Sequence, residues 1–302
     1  MVTRHADWST RAFELRPVVP DTGPFPGRGF LEALWNHEPA GDLCLAESGS
    51  ALVPLVLDET GLRWVGHPDL ADYRSPLGDG ATDLIAELLM TGSTGVRFFF
   101  DSLPGEAADV VRRGLEKAGL NTQPEQHAVT ARVQLPDSYG AYLEQIGKKE
   151  RHEIRRKRRR FSEVHGHPAL VTTRGAGEGF DRFVAMHRSS KGAKGSFMTS
   201  ETEELFASLA DQDGWRVDLL CGEDGEAVAA AFAWADADGF YLYNSAFERA
   251  SEASPGIVLL SMLIERAIQA NCHIFDFLKG EEPYKFRLGA TKRPLFSFEG
   301  ST

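Results

Sequence analysis

The sequence predicts a mixed α/β protein, of the α+β kind, made of two mixed-sheet domains in tandem. Three observations carry this prediction. Short runs such as 51–57 and 227–235 are continuously apolar or alternate, the pattern of strands. Between such runs stand segments with apolar residues every three or four positions, the pattern of helices. The order of helix, hairpin strands, helix, strand, helix and strand then runs twice, through residues 1–135 and, on a larger scale, through 136–302.

In the first half, 28–37 is a short amphipathic helix. Segments 42–47 and 51–57 flank Ser48-Gly49-Ser50, a hairpin turn, and 62–66 is a third strand. An irregular loop, 69–77, carries Asp72, Tyr73 and Arg74. Helices at 81–90 and 105–118, the latter ended by Gly119, alternate with strands at 96–100 and 127–135. Pro136-Asp137-Ser138 then marks a boundary and a helix cap.

The second half opens with helices at 139–146 and 148–164, jointed at Gly147, then a strand at 169–173 and helices at 179–190 and 202–211. Segments 215–222, 227–235 and 240–247 form an antiparallel meander whose turns, 223–226 and 236–239, hold the Asp and Gly that turns require. After a polar turn, Pro255 and Gly256 open a helix whose apolar face is Ile257, Leu260, Leu263, Ile264, Ala267 and Ile268. A strand at 273–278, a charged aromatic loop and a last strand at 295–299 follow. A helix N-terminus behind a strand offers unpaired N–H groups to a phosphate, and Gly256 lets the backbone approach closely. The same pattern also describes an ordinary crossover between parallel strands.

With 302 residues, 42% of them hydrophobic and 25% charged, the composition is that of a globular protein with a substantial core. No apolar run follows Arg4, so no signal peptide is expected, and the run at 227–235 is too short to span a bilayer. Cys44, Cys221 and Cys272 lack metal-ligand spacing and read as buried thiols of a reducing, cytoplasmic compartment. His165 and His167 flank Gly166 without a carboxylate or cysteine partner, so no metal site is expected. No GxSxG, GxxxxGK[ST] or HExxH pattern occurs, which removes support for hydrolase, P-loop and zincin chemistry.

The net charge is −11, yet 148–160 holds nine basic residues against two acidic ones, a local +7 within a remainder that sums to −18. Lys148, Arg151, Arg155 and Arg158 share one helical face, with Arg156 and Arg160 beside them and Lys149 on the adjoining row. Such crowding repels itself unless an anion neutralises it. The candidates are the phosphates of CoA or of a tRNA acceptor stem. Stacking aromatics for base readout are lacking, and DNA is not an expected partner. The competing reading is a solvated helix that offsets the acidic body.

Four pieces of the second half carry a family resemblance: the helix bearing Lys149, Arg151, Arg155, Arg156 and Arg159; MHRSSKGAKGSF at 186–197; SPGIVLL at 254–260; and FDFLKGEEPYKFRLG at 275–289. Together they resemble the acyltransferase domain of the GNAT superfamily, in its CelD-like branch, distantly similar to FemABX aminoacyl transferases. The first half, through ALVPLVL and ADYRSPLG, resembles the partner domain of the same tandem proteins.

The resemblance implies an N-acyltransferase that moves an acyl group from acetyl-CoA or another acyl-CoA to an amine of a small molecule or peptide. The site is expected near the splayed end of a strand, at Asn244 and Ser245. Tyr284 is the expected general acid, Lys285 stabilises an oxyanion or phosphate, and Asp276 orients Lys285 or takes the amine proton. Lys285→Ala is expected to abolish transfer with folding intact. Arg249, Pro255 and Gly256 would hold the cofactor. Lys149, Arg151, Arg155, Arg156, Arg287, His187, Arg188 and Tyr73 would bind anion or substrate, with His187 also a candidate base. The stretch 248–256 departs from the family's tight Gly-rich pyrophosphate loop, since Glu248 and Glu252 oppose a pyrophosphate. That departure keeps aminoacyl-tRNA as an alternative donor, and a non-catalytic binding protein as a third reading.

Overall fold

The computed structural model describes residues 2–248 and 253–302. The chain forms two compact units, residues 1–130 with 293–302 and residues 131–292.

In the first unit β1 (Thr3–His5) pairs antiparallel with β2 (Asp42–Ser48), after α1 (Arg28–His37). β2 and β3 (Ala51–Asp58) form the expected hairpin, and β4 (Gly61–Trp64), the expected third strand, pairs antiparallel with β3. Helix α2 (Ala81–Thr91) crosses over to β5 (Arg97–Pro104), which lies parallel to β4 with Leu62 opposite Phe98. Helix α3 (Gly105–Lys117) and β6 (Glu125–Gln134) follow. The apolar faces of α2 and α3 close over the sheet with Phe98, Phe100 and Trp64 in the core.

The loop at 69–77 is internal. Tyr73 is fully buried, donates its hydroxyl to Thr130 Oγ1 at 2.7 Å, and lies under the Arg293 guanidinium at 5.2 Å. Arg74 donates to the Val65 and Gly66 carbonyls. The expectation that Tyr73 binds substrate is therefore corrected: its ring is a core residue of the first unit and has no surface to offer.

The second unit begins with α4 (Tyr139–Gln145) and α5 (Lys148–His165), then β7 (Ala169–Thr173), α6 (Glu178–Arg188), α7 (Ala193–Phe197) and α8 (Ser200–Ala210). Strands β8 (Trp215–Cys221), β9 (Ala227–Ala235) and β10 (Gly239–Phe247) form its meander. Helix α9 (Pro255–Gln269) crosses over to β11 (Ile274–Lys279), parallel to β10, and α10 (Pro283–Arg287) follows. The last strand, β12 (Thr291–Ser301), pairs with β5 and so belongs largely to the first unit. Helices α7 and α10 stand where loops are expected, because five residues are too few to show a periodic face.

The period of two in β9 sorts this unit into layers. Ala229, Ala231 and Ala233 join the core beneath α9, where small side chains admit the helix closely. Phe232 points the other way, into a cluster with Phe183, Phe206 and Trp215. Arg158 ties α5 to α9 through Ser261 Oγ at 2.9 Å and Glu265 at 2.7 Å. Tyr142 of α4 is fully buried and donates its hydroxyl to the Leu288 carbonyl, just after α10, at 2.9 Å. Tyr142→Phe leaves that carbonyl without its donor. We expect a loss of about 1 kcal/mol in unfolding free energy, read from urea titration at unchanged m-value.

Candidate active site

Strands β10 and β11 pair at three positions only, Gly239 with Ile274, Phe240 with Phe275 and Tyr241 with Asp276. Beyond Tyr241, β10 runs on to Phe247 without β11 beside it. A bulge between Leu242 and Asn244 changes the phase of β10 against β9. Leu242 opposes Ala233 before the bulge, and Ser245 opposes Ala231 after it, so both face α9. Without the bulge Ser245 and Phe247 would point to the α6 side. The bulge is held by Asn244, whose Oδ1 accepts from the Ser245 N–H at 2.8 Å and from His187 Nε2 at 3.1 Å.

The gap in the sheet is capped by the start of α9. Ser254 adopts a left-handed conformation (φ 52°), and Pro255 occupies the first turn, where its missing N–H is no loss. A Cβ on Gly256 would lie 3.0 Å from the Phe247 ring, so the glycine permits this contact. Between β10 and α9 lies a cavity of about 590 Å³. Its walls are Ser245, Phe247, Ile257, Leu259 and Leu260; Lys157 and Lys194 supply cations against the carboxylate of Glu248, and Tyr284 lies at one side. The Lys194 ammonium sits 5.5 Å from the Phe247 ring centre. This is an apolar slot with a cationic margin and a helix N-terminus, an arrangement suited to an acyl or thioester arm that ends in an anion.

A second cavity of about 370 Å³ shares Lys157, Ile257 and Tyr284 with the first and adds Lys149, Glu150, Glu153 and Arg287. Burial, with a smaller push from the Glu282 charge, raises the Tyr284 phenol to about 12. It stays protonated at neutral pH and can donate a hydrogen bond. Hydrogen bonds from Arg156, with the nearby cations, hold the Glu153 carboxyl at about 2.

Tyr284 is positioned by the turn after β11. Asp276 is fully buried, and its Oδ1 accepts from the Leu278 N–H at 2.7 Å, fixing Leu278 in a left-handed conformation (φ 59°). The Lys285 ammonium is 3% exposed in residue terms and donates to the carbonyls of Lys279 at 2.5 Å, Leu278 at 3.4 Å and Gly280 at 3.4 Å. It also pairs with Glu282 at 3.0 Å. Lys285 and Asp276 line neither cavity. Their expected catalytic roles are corrected to positioning ones, because carbonyls and a backbone N–H occupy the groups that chemistry would need.

Of the other expected residues, Ser245, Pro255 and Gly256 line the first cavity, Lys149 and Arg287 line the second, and Asn244 stands behind Ser245. Arg249 lies outside the described residues. Arg151 donates to the Leu143 carbonyl, Arg156 chelates Glu153, and exposed Arg155 lines neither cavity. Arg188 is engaged by the Met198 carbonyl and Glu203. His187 is 1% exposed and turned toward Asn244, so it supports the bulge and does not meet an amine. Sequence reasoning missed Lys157, Lys194 and Phe247. Lys157 stands on the i, i+4, i+8 row begun by Lys149 and Glu153 and was legible there, whereas Lys194 sits on α7, which has no sequence signal. Among the described residues no cluster of His, Cys, Asp or Glu is placed to hold a metal, and no helix is long and apolar enough to cross a membrane.

Residues 148–286 match the acetyltransferase (GNAT) domain family. The fold is similar to that of a conserved protein of unknown function from Bacteroides thetaiotaomicron (TM-score 0.66, 11% identity, 99% of each chain covered). It is also similar to FemX (TM-score 0.64, 10% identity, 95% of this chain and 93% of that one). A third similar structure is L-PGS from Bacillus licheniformis (TM-score 0.59, 14% identity, 92% and 93% covered). No curated protein sequence matches the chain.

Two outcomes follow from the site's supports. Burial, then the Lys194 charge, lowers the His187 ring from 6.5 to about 4. The unfolded state binds this proton first, so stability is complete above about pH 6.5 and falls by up to about 3 kcal/mol as pH drops toward 4. Denaturant titrations across that window should show the slope in the wild type and its loss in His187→Phe. Lys285→Ala leaves three carbonyls without their cation and should cost about 2–3 kcal/mol of unfolding free energy, measured by urea titration.

Proposed function

We propose that this chain, whose residues 148–286 match the acetyltransferase (GNAT) domain family, is an acyltransferase that transfers an acyl group from acyl-CoA, acetyl-CoA in the simplest case, to the amine of a small molecule or peptide. The observation that carries this reading is the apolar slot between β10 and α9, with Lys157 and Lys194 at its margin and Tyr284 at its side. The acyl arm lies along Phe247 and Ile257, and phosphates meet the α9 N-terminus and the two lysines. In this reading the second half of the chain, 136–302 by sequence and 131–292 as the compact unit, performs the chemistry, and the first forms a partner domain.

The reaction needs a neutral amine. Its nitrogen lone pair attacks the thioester carbonyl, and backbone N–H groups at the open end of β10 stabilise the oxyanion. The carbon–nitrogen bond forms, the carbon–sulfur bond breaks, the nitrogen gives one proton to solvent, and the sulfur departs as thiolate. A phenol held at about 12 is a weaker acid than a thiol of ~8.5. Tyr284 therefore donates a hydrogen bond to the departing sulfur, and full proton transfer to it is uphill.

The same value supports a second reading. An aminoacyl ester of tRNA leaves as an alkoxide, far more basic than a thiolate, and a phenol of high pKa can protonate it. The exposed cations Lys148 and Arg155 on α5 would then contact backbone phosphate. Both donors are made in the cytoplasm, where either reading puts the reaction.

Calorimetry with acetyl-CoA and salt-dependent binding of charged tRNA separate the two donors. We expect acetyl-CoA to bind, and Tyr284→Phe to lower kcat by about 10- to 100-fold with little change in donor affinity. Absence of acetyl-CoA binding, together with a salt-sensitive tRNA complex, transfers the assignment to the second reading.

A further inference from the structure

The second cavity carries an arrangement of charge that the donor does not need. Along α5, Lys149, Glu153 and Lys157 form one row and Glu150 and Ile154 the next, and both rows face Arg287 and Tyr284 of α10. Glu153 is engaged: both its oxygens receive the Arg156 guanidinium, and Lys157 lies 3.6 Å away. Among the described residues Lys149, Glu150 and Arg287 form no ion pair. One uncommitted carboxylate and two uncommitted cations thus border a pocket of about 370 Å³.

We propose that this pocket is the acceptor site and that it selects zwitterionic amines, molecules whose reacting amine is linked to a carboxylate, phosphonate or phosphate. The inference rests on the acyltransferase reading above and names its second substrate class. Glu150 receives the ammonium, which gives one proton to solvent before it attacks as the neutral amine, and Lys149 and Arg287 receive the anionic group. A bidentate anion suits the Arg287 fork, and the first turn of α5 adds the positive end of an 18-residue helix. Alkylamines without an anionic group satisfy only Glu150. Shared residues Lys157, Ile257 and Tyr284 join the pocket to the donor slot, so an amine seated here lies on the acceptor side of Tyr284.

Binding without any donor tests the proposal. γ-Aminobutyrate is titrated against butylamine, and aminoethylphosphonate against ethylamine, on the full chain by calorimetry or saturation-transfer NMR. At least one zwitterion should bind about tenfold tighter than its matched amine. Lys149→Gln with Arg287→Gln should erase that ratio, and Glu150→Gln should weaken amine and zwitterion alike. Both cations are exposed, and a circular-dichroism melt at the wild-type midpoint certifies the fold. Equal binding of matched pairs, no binding of any zwitterion, or a ratio unchanged in the double variant overturns the proposal. The arms distinguish carboxylate from phosphonate recognition. A separate acetyl-CoA titration decides the donor assignment, so failure of one reading is not mistaken for failure of the other.

Discussion

A pair of parallel strands with just three paired positions leaves backbone groups facing a gap, and that gap is the constraint on which the second unit depends. Unpaired polar groups in a buried place are costly unless water or a ligand meets them. The surrounding elements keep the gap open. On one bank the β10 bulge turns Ser245 and Phe247 toward α9, and Phe247 rests on Gly256. On the other, Asp276 and Lys285 clamp the turn after β11 and hold Tyr284 in place. Closing the gap would require undoing both sets of contacts.

Charge in the unit follows from what the helices leave uncommitted. The basic stretch of α5 is divided by its own geometry. Arg151, Arg156 and Arg158 are engaged by the Leu143 carbonyl, Glu153 and Glu265, and Arg159 and Arg160 lie near Glu163. Lys149 remains on the cavity side without an ion pair among the described residues, and Lys157 lies there 3.6 Å from Glu153. An acidic chain with cations gathered in one recess concentrates its attraction for anions there, and the effect weakens as salt screens it.

The first unit repeats the order of meander, helix crossover and parallel strand but closes the corresponding end with its own chain. The Arg74 N–H donates to the Ser102 carbonyl at the end of β5, Ser102 is left-handed as Leu278 is, and Tyr73 fills the space behind. Similar topology thus accommodates an open cavity in one unit and an internal plug in the other. The difference lies in one loop, 69–77, whose aromatic and cationic side chains find partners inside.

Local chemistry in the sequence determined the order of the longer elements, the first hairpin, the 215–247 meander, the α9 start at Pro255 and the clustering of cations on α5. Each depends on residues adjacent in the chain, where periodicity and turn chemistry act. The stretch FDFLKGEEPYKFRLG is conspicuous in the sequence, but Tyr284 and Lys285, neighbours on one helical turn, point to opposite tasks: Tyr284 borders the cavities and Lys285 is buried against carbonyls. Only the tertiary structure decided that, because a single residue step on a helix rotates a side chain by about 100°, and what it meets comes from distant segments. The bulge in β10 is of the same kind. Simple alternation through FYLYNSAF puts Asn244 on the face of Leu242; His187, more than fifty residues earlier, bonds it on the other. Which polar groups are engaged inside and which are left for a ligand is a matter of long-range pairing, and the sequence holds no local record of it.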